Sequence, residues 1–148
     1  MGATSSRERV AVRSKSAVVE AYSGFFAGVG RALQAPPERV RGILADLASG
    51  SYLDFEIRQV IDHQARGLEA WGRPVVHVTD VELGPVSAMV HDCQDASRAG
   101  LADVRTHRLV PQSRGDAHRN LVAYLRLGGD QQWRVIDLVQ HKASCHRL

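Results

Sequence analysis

The sequence predicts an α+β domain in which helices cover one face of a curved antiparallel sheet. The chain has 148 residues, a length typical of one domain, and its 44% apolar and 24% charged residues match an ordinary globular protein. Apolar residues recur at helical spacing in the first half, whereas they alternate as in strands in the second half. Helices followed by a run of strands indicate that the helices pack against an antiparallel sheet.

Three amphipathic helices are predicted in the first half. In residues 17–33, apolar side chains recur every three or four positions, which is the period of one helical face. The proline pair at 36–37 suits the first turn of a second helix, and Gly50 suits its C-terminal end. Ser51 with Asp54 resembles a capping pair, so a third helix is predicted over 51–68.

A first hairpin is predicted after the helices. Residues 74–83 and 86–94 are rich in valine, which favours strands, and Gly84-Pro85 between them suits a turn. The following segment, 95–118, is polar and has few apolar anchors. We therefore expect a long excursion there, with a short hairpin near Thr106.

A second hairpin is predicted near the end of the chain. Residues 119–127 and 132–140 alternate between apolar and polar side chains. Gly128-Gly129-Asp130 lies between them and supplies the residues that a tight turn needs. The two hairpins together form an antiparallel meander that follows the helices.

The chain is basic, with a formal charge of +3 and 17 arginines against 2 lysines. The arginines are scattered, and the local basic cluster within residues 7–15 is interrupted by Glu8. No basic stripe with interleaved aromatic residues occurs, so nucleic acid is not an expected partner. We expect residues 1–15 to be a flexible basic leader and residues 16–148 to be a single domain.

The two cysteines, Cys93 and Cys145, are too far apart in sequence to form a zinc-binding CxxC pair. Three interpretations remain open: a disulfide, two buried thiols, or a reactive nucleophile. In an oxidising compartment the disulfide would be favoured, and closing a loop of this length would contribute about 4–5 kcal/mol.

The sequence indicates neither a secretory signal nor a transmembrane helix. Residues 1–16 lack the apolar stretch of a signal, and the uncharged run at 21–30 is shorter than the roughly 18–20 residues that cross a bilayer. We expect a cytoplasmic location for the chain as written. The alternative is an extracytoplasmic location after removal of a leader, which a Cys93–Cys145 disulfide would suggest.

Asp92 and Asp137 are the candidate catalytic residues. Because alternate side chains of a strand share a face, Asp92 should lie with Val90, and Asp137 with Trp133 and Val135. Burial among apolar side chains raises the pKa of a carboxyl group toward the range that general acid or base catalysis needs. The alternative is that each aspartate lies at a strand end, hydrated or paired with an arginine or a backbone amide.

Other chemical motifs are missing from the sequence. It contains no HExxH, GxSxG or GxxxxGKS/T motif, so neither a metal nor a cofactor is expected. His77 and Tyr124 lie in predicted strands and are the candidate acid partners of the aspartates. Tyr22 and Phe26 are typical of a core, although they could narrow the mouth of a pocket.

Three segments of the second half, together with the order of the elements, resemble a known superfamily. They are DCQDASR at 92–98, RNLVA at 119–123 and WRV at 133–135. Over residues 16–145 the chain resembles the nuclear transport factor two-like (SnoaL-like) superfamily, and in particular its uncharacterised bacterial members. The resemblance implies a cone-shaped fold. It also implies a disulfide between Cys93 and Cys145, because such relatives pair a cysteine after the aspartate with one near the C-terminus.

The resemblance leads to two functional hypotheses. The first is a non-catalytic ligand-binding or assembly module of a bacterial protein complex that is linked to secretion or conjugation. This module would associate through its sheet face, as a homodimer or with a protein partner. That face would expose Met89, Val122, Tyr124, Ile136 and Leu138. The alternative is a cofactor-free isomerase, dehydratase or cyclase that uses an Asp–His pair on a small hydrophobic substrate. The expected pocket lining for such a hydrophobic ligand is Tyr22, Phe26, Val90, Trp133 and Val135.

Overall fold

The structure, a computed structural model, describes residues 11–147 of the chain. From residue 15 onward, three helices come first: α1 (Lys15–Gln34), α2 (Pro37–Ala45) and α3 (Gly50–Ala65). Six strands follow: β1 (Leu68–Gly72), β2 (Val78–Leu83), β3 (Ser87–Gln94), β4 (Ala99–Asp103), β5 (Arg119–Leu127) and β6 (Trp133–His141). The helices pack on curved antiparallel sheets, so the predicted α+β class is confirmed. Within the described residues, none of the helices is long and apolar enough to span a bilayer.

The strands form a four-stranded antiparallel sheet in the order β2-β3-β5-β6 and a two-stranded pair of β1 with β4. An isolated bridge between Val75 and Asp95 lies between the β1–β4 pair and the β2–β3 pair. Residues 68–83 and 88–103 therefore run beside each other as one long antiparallel ribbon. The pairing is interrupted on both sides of the bridge, and the β1 end of the ribbon packs against α1 and α3.

The main core lies between α1 and the inner face of the four-stranded sheet. Helix α1 contributes Val18, Tyr22 and Phe25. The sheet contributes Val81, Ala88, Val90, Ala123, Leu125, Leu127, Trp133 and Val135. A smaller cluster of Ala32, Val40, Leu44 and Val60 joins the three helices. Burial of alternate strand residues on this one face accounts for the alternating pattern of the second half.

The link between α2 and α3 joins the sheet and determines where the third helix begins. Ala48 forms a parallel bridge with Val135 of β6, and the Val135 N–H donates to the Leu47 carbonyl at 2.9 Å. Helix α2 consequently ends at Ala45, before the predicted end at Gly50. Gly50, with a left-handed φ of 67°, opens α3 instead.

The third helix is shorter at its C-terminal end than its periodicity predicts. Helix α3 ends at Ala65, and Gly67 turns the chain with a φ of 72°. Leu68, which the periodicity places on the helix, is the first residue of β1 and pairs with Asp103. Pairing with a distant strand therefore overrides the local helical pattern.

Part of the predicted leader contacts the domain. The Trp133 indole N–H donates to the Val12 carbonyl at 2.7 Å, and Val12 packs against the main core. The Ser14 hydroxyl caps α1 by accepting from the Ala17 N–H at 3.1 Å. Residues 12–14 thus belong to the packed structure, and residues 1–10 of the predicted leader lie outside the described residues.

The segment between the two predicted hairpins contains β4 and a tight turn. Asp103 Oδ1 accepts hydrogen bonds from the N–H groups of Arg105 at 2.8 Å and Thr106 at 3.2 Å. Ala102 and Leu109 form a bridge across this turn, which confirms the short hairpin near Thr106. The sequence does not predict β4, whose five residues are stabilised by pairing with β1.

Candidate functional site

A cavity of about 820 Å³ opens between α1, α3 and the β1–β4 pair. Five aromatic residues line it: Phe25, Phe26, Tyr52, Phe55 and Trp71. Its volume falls in the range of small-molecule pockets, roughly 300–1,000 Å³. The cavity is therefore the candidate ligand site of the molecule.

Small residues shape the walls of this cavity. A Cβ added at Gly30 on α1 would lie 4.0 Å from Ala70 Cβ on β1, so the helix approaches the strand closely at this point. At Gly72, with a φ of 63°, a Cβ would overlap the carbonyl oxygen of Arg98. The close pairing of β1 with β4 therefore requires glycine at this position.

Helix α3 presents a polar stripe to the cavity. Tyr52, Glu56, Gln59 and His63 recur at helical spacing, and all four line the cavity. The Tyr52 hydroxyl donates to Glu56 Oε1 at 2.8 Å. Burial raises the pKa of the Glu56 carboxyl, and the hydrogen bond from Tyr52 opposes that rise. Glu56 therefore holds a proton to higher pH than an exposed carboxyl does.

Glu56 is not among the residues that the sequence predicts for the site. The sequence does contain a pattern that could have indicated Glu56, since polar side chains at 52, 56, 59 and 63 share one face of a helix. Such a stripe is also the ordinary pattern of a solvated helix face. What encloses this stripe is the position of β1 beside α3, which depends on the pairing of β1 with β4.

Arg119, the first residue of β5, brings a positive charge to the cavity. Its NH1 donates to Gln94 Oε1 at 3.2 Å, and its Nε and NH2 donate to Gln140 Oε1 at 3.3 and 3.1 Å. Among residues 11–147, no carboxylate oxygen lies within 4.0 Å of this guanidinium. Two neutral amides thus hold a half-buried cation.

Asp92 is buried beside Gln94 and does not line the cavity. The Tyr22 hydroxyl donates to Asp92 Oδ2 at 2.6 Å, and the His77 backbone N–H donates to Oδ1 at 2.7 Å. Burial raises the pKa of Asp92, and the hydrogen bonds from Tyr22 and His77 oppose that rise. Asp92 is thus buried, as the alternation of its strand predicts. Both of its carboxylate oxygens join α1 to the ribbon, and a backbone amide, which the alternative named, donates to one of them.

Asp137 lies on the outer face of the sheet, which corrects its predicted position beside Trp133 and Val135. A β-bulge next to Tyr124 makes Ile136 an extra residue of β6. The alternation of side chains reverses beyond the bulge, so Asp137 stands opposite the exposed Tyr124. Asp137 is itself exposed.

The four predicted catalytic residues do not come together. Asp92 is 2% exposed inside the domain, whereas His77, Tyr124 and Asp137 are exposed residues. His77 reaches Asp92 through its backbone N–H rather than its ring. The side chains therefore do not form the Asp–His pair on which the enzyme hypothesis rests.

Of the five residues predicted to line a pocket, Phe26 lines the cavity. The other four, Tyr22, Val90, Trp133 and Val135, are buried in the main core, which corrects the prediction. The reason is that they fill the interior between α1 and the four-stranded sheet. The cavity opens at the other end, toward the β1–β4 pair.

The sheet face predicted to be apolar and exposed is exposed only in part. Tyr124 is 36% exposed, and Met89 and Ile136 are half-buried. Val122 is only 5% exposed. Leu138 lines the cavity because the bulge places it on the inner side of β6.

Cys93 and Cys145 form a disulfide, so the pairing implied by the superfamily resemblance is confirmed. The bond ties the segment after β6 back to β3. The Arg147 guanidinium donates to the carbonyls of Cys93, at 3.2 Å, and Ala117. The C-terminal segment is thereby held against the sheet by a covalent bond and two hydrogen bonds.

A cluster of three potential metal ligands lies on the outer face. Asp80, Glu82 and His91 each place a donor atom within 4.8 Å of the others. His91 Nε2 lies 3.2 Å from Glu82 Oε2, a contact that accounts for their proximity without an ion. Because the two carboxylates are exposed, we assign no metal to this cluster.

The fold is similar to that of a chloroplast protein. No family model matches the chain, and no curated protein matches its sequence. The crystal structure of the intermembrane space region of chloroplast protein ARC6 is similar, with a TM-score of 0.56 and 13% sequence identity. The similarity covers 94% of this chain and 98% of that chain. At this identity it shows a shared fold alone, over almost the whole chain.

Proposed function

We propose that the protein is a non-catalytic ligand-binding module of the nuclear transport factor two-like superfamily, whose ligand occupies the cavity between α1, α3 and the β1–β4 pair. The cavity carries the proposal, because its aromatic lining and its volume of about 820 Å³ suit a small hydrophobic molecule. From residue 15 onward, the order of helices followed by antiparallel strands supports the superfamily assignment.

The polar groups of the cavity favour binding over catalysis by an Asp–His pair. The oxygens of Asp92 are engaged by Tyr22 and a backbone amide, away from the cavity lining. The polar groups that line the cavity instead include the Tyr52–Glu56 pair and Arg119. A few polar groups among apolar side chains are the usual means of orienting a bound molecule.

The second candidate is a cofactor-free isomerase, dehydratase or cyclase, with Glu56 in place of the aspartates as acid or base. It is favoured by one observation, the raised pKa of a carboxyl group that lines an aromatic cavity. In this case Glu56→Gln would bind a ligand normally but would no longer convert it during prolonged incubation, as followed by NMR of the ligand. A ligand that wild type leaves unchanged supports the binding function.

We also propose an extracytoplasmic location and assembly with a bacterial secretion or conjugation complex, as a homodimer or with another protein. The disulfide supports the location, because such bonds persist in oxidising compartments, and the similar ARC6 region comes from an intermembrane space. The exposed apolar side chains of Tyr124 and Val139 on the outer face support a contact surface on the sheet. Light scattering that finds a monomer at high concentration would overturn the homodimer.

Two matched variants of α1 test the ligand site. Gly30 lines the cavity, so Gly30→Leu adds a large side chain to its wall. Gly24 does not line it, and a Cβ there meets no atom within 4 Å, so Gly24→Leu is the control. In calorimetric titrations with the neutral aromatic probe 1-naphthaleneacetamide, we expect Gly30→Leu to weaken binding about tenfold or more, and Gly24→Leu to leave it unchanged. Equal affinity in all three proteins would overturn the proposal, as would failure of wild type to bind both this amide and the corresponding 1-naphthaleneacetate.

A further inference from the structure

We propose that the cavity selects an apolar molecule with a carboxylate head group, which Arg119 binds. This inference rests on the proposed ligand-binding function and adds the charge of the ligand to it. Arg119 lies where the aromatic lining meets the ends of β5 and β6, with Leu138 as an apolar neighbour in the wall. A ligand whose apolar body contacts the rings can therefore place its head group at the guanidinium.

The guanidinium of Arg119 has unused hydrogen-bond donors. Arginine carries five N–H donors, of which Gln94 accepts one and Gln140 accepts two. One N–H on each terminal nitrogen is left for a ligand. A pair of N–H groups on the two terminal nitrogens matches the two oxygens of a carboxylate, which favours a bidentate contact.

The hydrogen-bond partners of Arg119 orient it without neutralising it. Gln94 and Gln140 are uncharged amides, and Gln94 is completely buried, which fixes one side of the guanidinium. A half-buried cation held by neutral groups interacts more favourably with a bound anion than an arginine that is already paired with a carboxylate does. In the part of the chain that the structure describes, no such carboxylate lies within 4.0 Å of it.

The charges of the cavity wall also favour an anion. Arg31 and Arg73 line the cavity in addition to Arg119. Among the described residues of the lining, Glu56 is the one acidic residue. Its carboxyl accepts the Tyr52 hydrogen bond, and burial raises its pKa. The wall therefore attracts negative charge, and a low local dielectric strengthens that attraction.

The experiment compares two probes of nearly equal shape, 1-naphthaleneacetate and 1-naphthaleneacetamide, by calorimetric titration of the full chain at neutral pH. The acetate is ionised there, whereas the amide is neutral. We expect the acetate to bind roughly tenfold to a hundredfold more tightly, the ratio expected for a charge-assisted hydrogen bond. Arg119→Gln should reduce this ratio to about one.

Arg126 supplies the matched control, because it lies on the same strand as Arg119 but is exposed and does not line the cavity. Arg126→Gln should keep the preference for the acetate, which excludes a general effect of net charge. Arg119→Lys keeps the charge but loses the bidentate geometry, so it should retain only part of the preference. If circular dichroism shows that Arg119→Gln does not fold, the ratio of acetate to amide affinity is compared between wild type and Arg119→Lys. An unchanged ratio in Arg119→Lys would then contradict the bidentate contact.

The outcomes separate this inference from the function on which it rests. Equal affinities for both probes, each weakened by Gly30→Leu, would overturn the anion preference and leave the ligand site intact. A preference that persists in Arg119→Gln, or that Arg126→Gln removes equally, would also overturn it. Failure of both probes to bind wild type would overturn the ligand site as well.

Discussion

Replacing Gly28 with alanine tests how tightly α1 packs on the link between α2 and α3. A Cβ at this position would overlap Leu47 Cδ1 and lie 3.3 Å from Leu47 Cγ. Leu47 is half-buried between both apolar clusters, so its movement is restricted. Overpacking of this kind costs about 1–3 kcal/mol, while alanine gains about 1 kcal/mol over glycine in a helix. We expect Gly28→Ala to lower the free energy of unfolding by up to about 2 kcal/mol.

Gly24→Ala is the control within the same helix. It gains the same helix propensity, but its Cβ meets no atom within 4 Å. It should therefore stabilise the protein by about 1 kcal/mol. The difference between the two variants cancels the propensity and isolates the cost of the contact with Leu47, about 1–3 kcal/mol. Urea denaturation followed by circular dichroism measures both values.

A double mutant shows whether Leu47 is the cause. In a Leu47→Ala background the overlapping atoms are gone, so Gly28→Ala should stabilise the protein about as much as Gly24→Ala does. The packing argument is refuted if Gly28→Ala stabilises the otherwise wild-type protein as Gly24→Ala does. It is also refuted if Gly28→Ala destabilises the Leu47→Ala background by the same amount as wild type.

Two further predictions concern the buried polar groups. Tyr22→Phe removes a hydrogen-bond donor to the buried Asp92 carboxylate and should lower the free energy of unfolding by about 1.5–3 kcal/mol, as measured by urea denaturation. The control is Tyr124→Phe at an exposed position, which should change it by less than about 0.5 kcal/mol. Equal losses in the two variants would contradict a stabilising role of the Tyr22–Asp92 hydrogen bond. Because the pKa of Glu56 is raised in the folded protein, wild type loses free energy of unfolding as this carboxyl ionises with rising pH, and the Gln variant does not. Glu56→Gln should therefore gain stability relative to wild type as pH rises from about 4 to 8. A difference independent of pH, or one that falls as pH rises, would contradict this.

The parts of the fold that were predictable from sequence are those set by local patterns. The final hairpin is an example, since β5 has the predicted bounds 119–127, and Gly128 and Gly129 lie in its turn. Strand β1 was not predictable, because Leu68, Glu69 and Ala70 are compatible with a helix. Their strand conformation depends on pairing with β4, a contact between distant parts of the chain.

In the candidate site, too, the sequence predicts the features that depend on local patterns or on the resemblance, but not those that depend on the tertiary structure. The disulfide partners could be named in advance from the superfamily resemblance, and the burial of Asp92 from the alternation of β3. The sequence placed Asp137 on the wrong face because a single extra residue in β6 reverses the alternation of side chains, and no local sequence pattern predicts this bulge. The cavity was missed because its walls come from α1, α3 and the β1–β4 pair, which only the tertiary structure brings together.

Gly72 gives this fold a marker that can be sought in other chains. Any side chain at this position would collide with the carbonyl of Arg98, the residue directly before β4, so a substitution must separate the two strands that form one wall of the cavity. A chain of the same fold that carries another residue at this position must therefore have a differently shaped wall there.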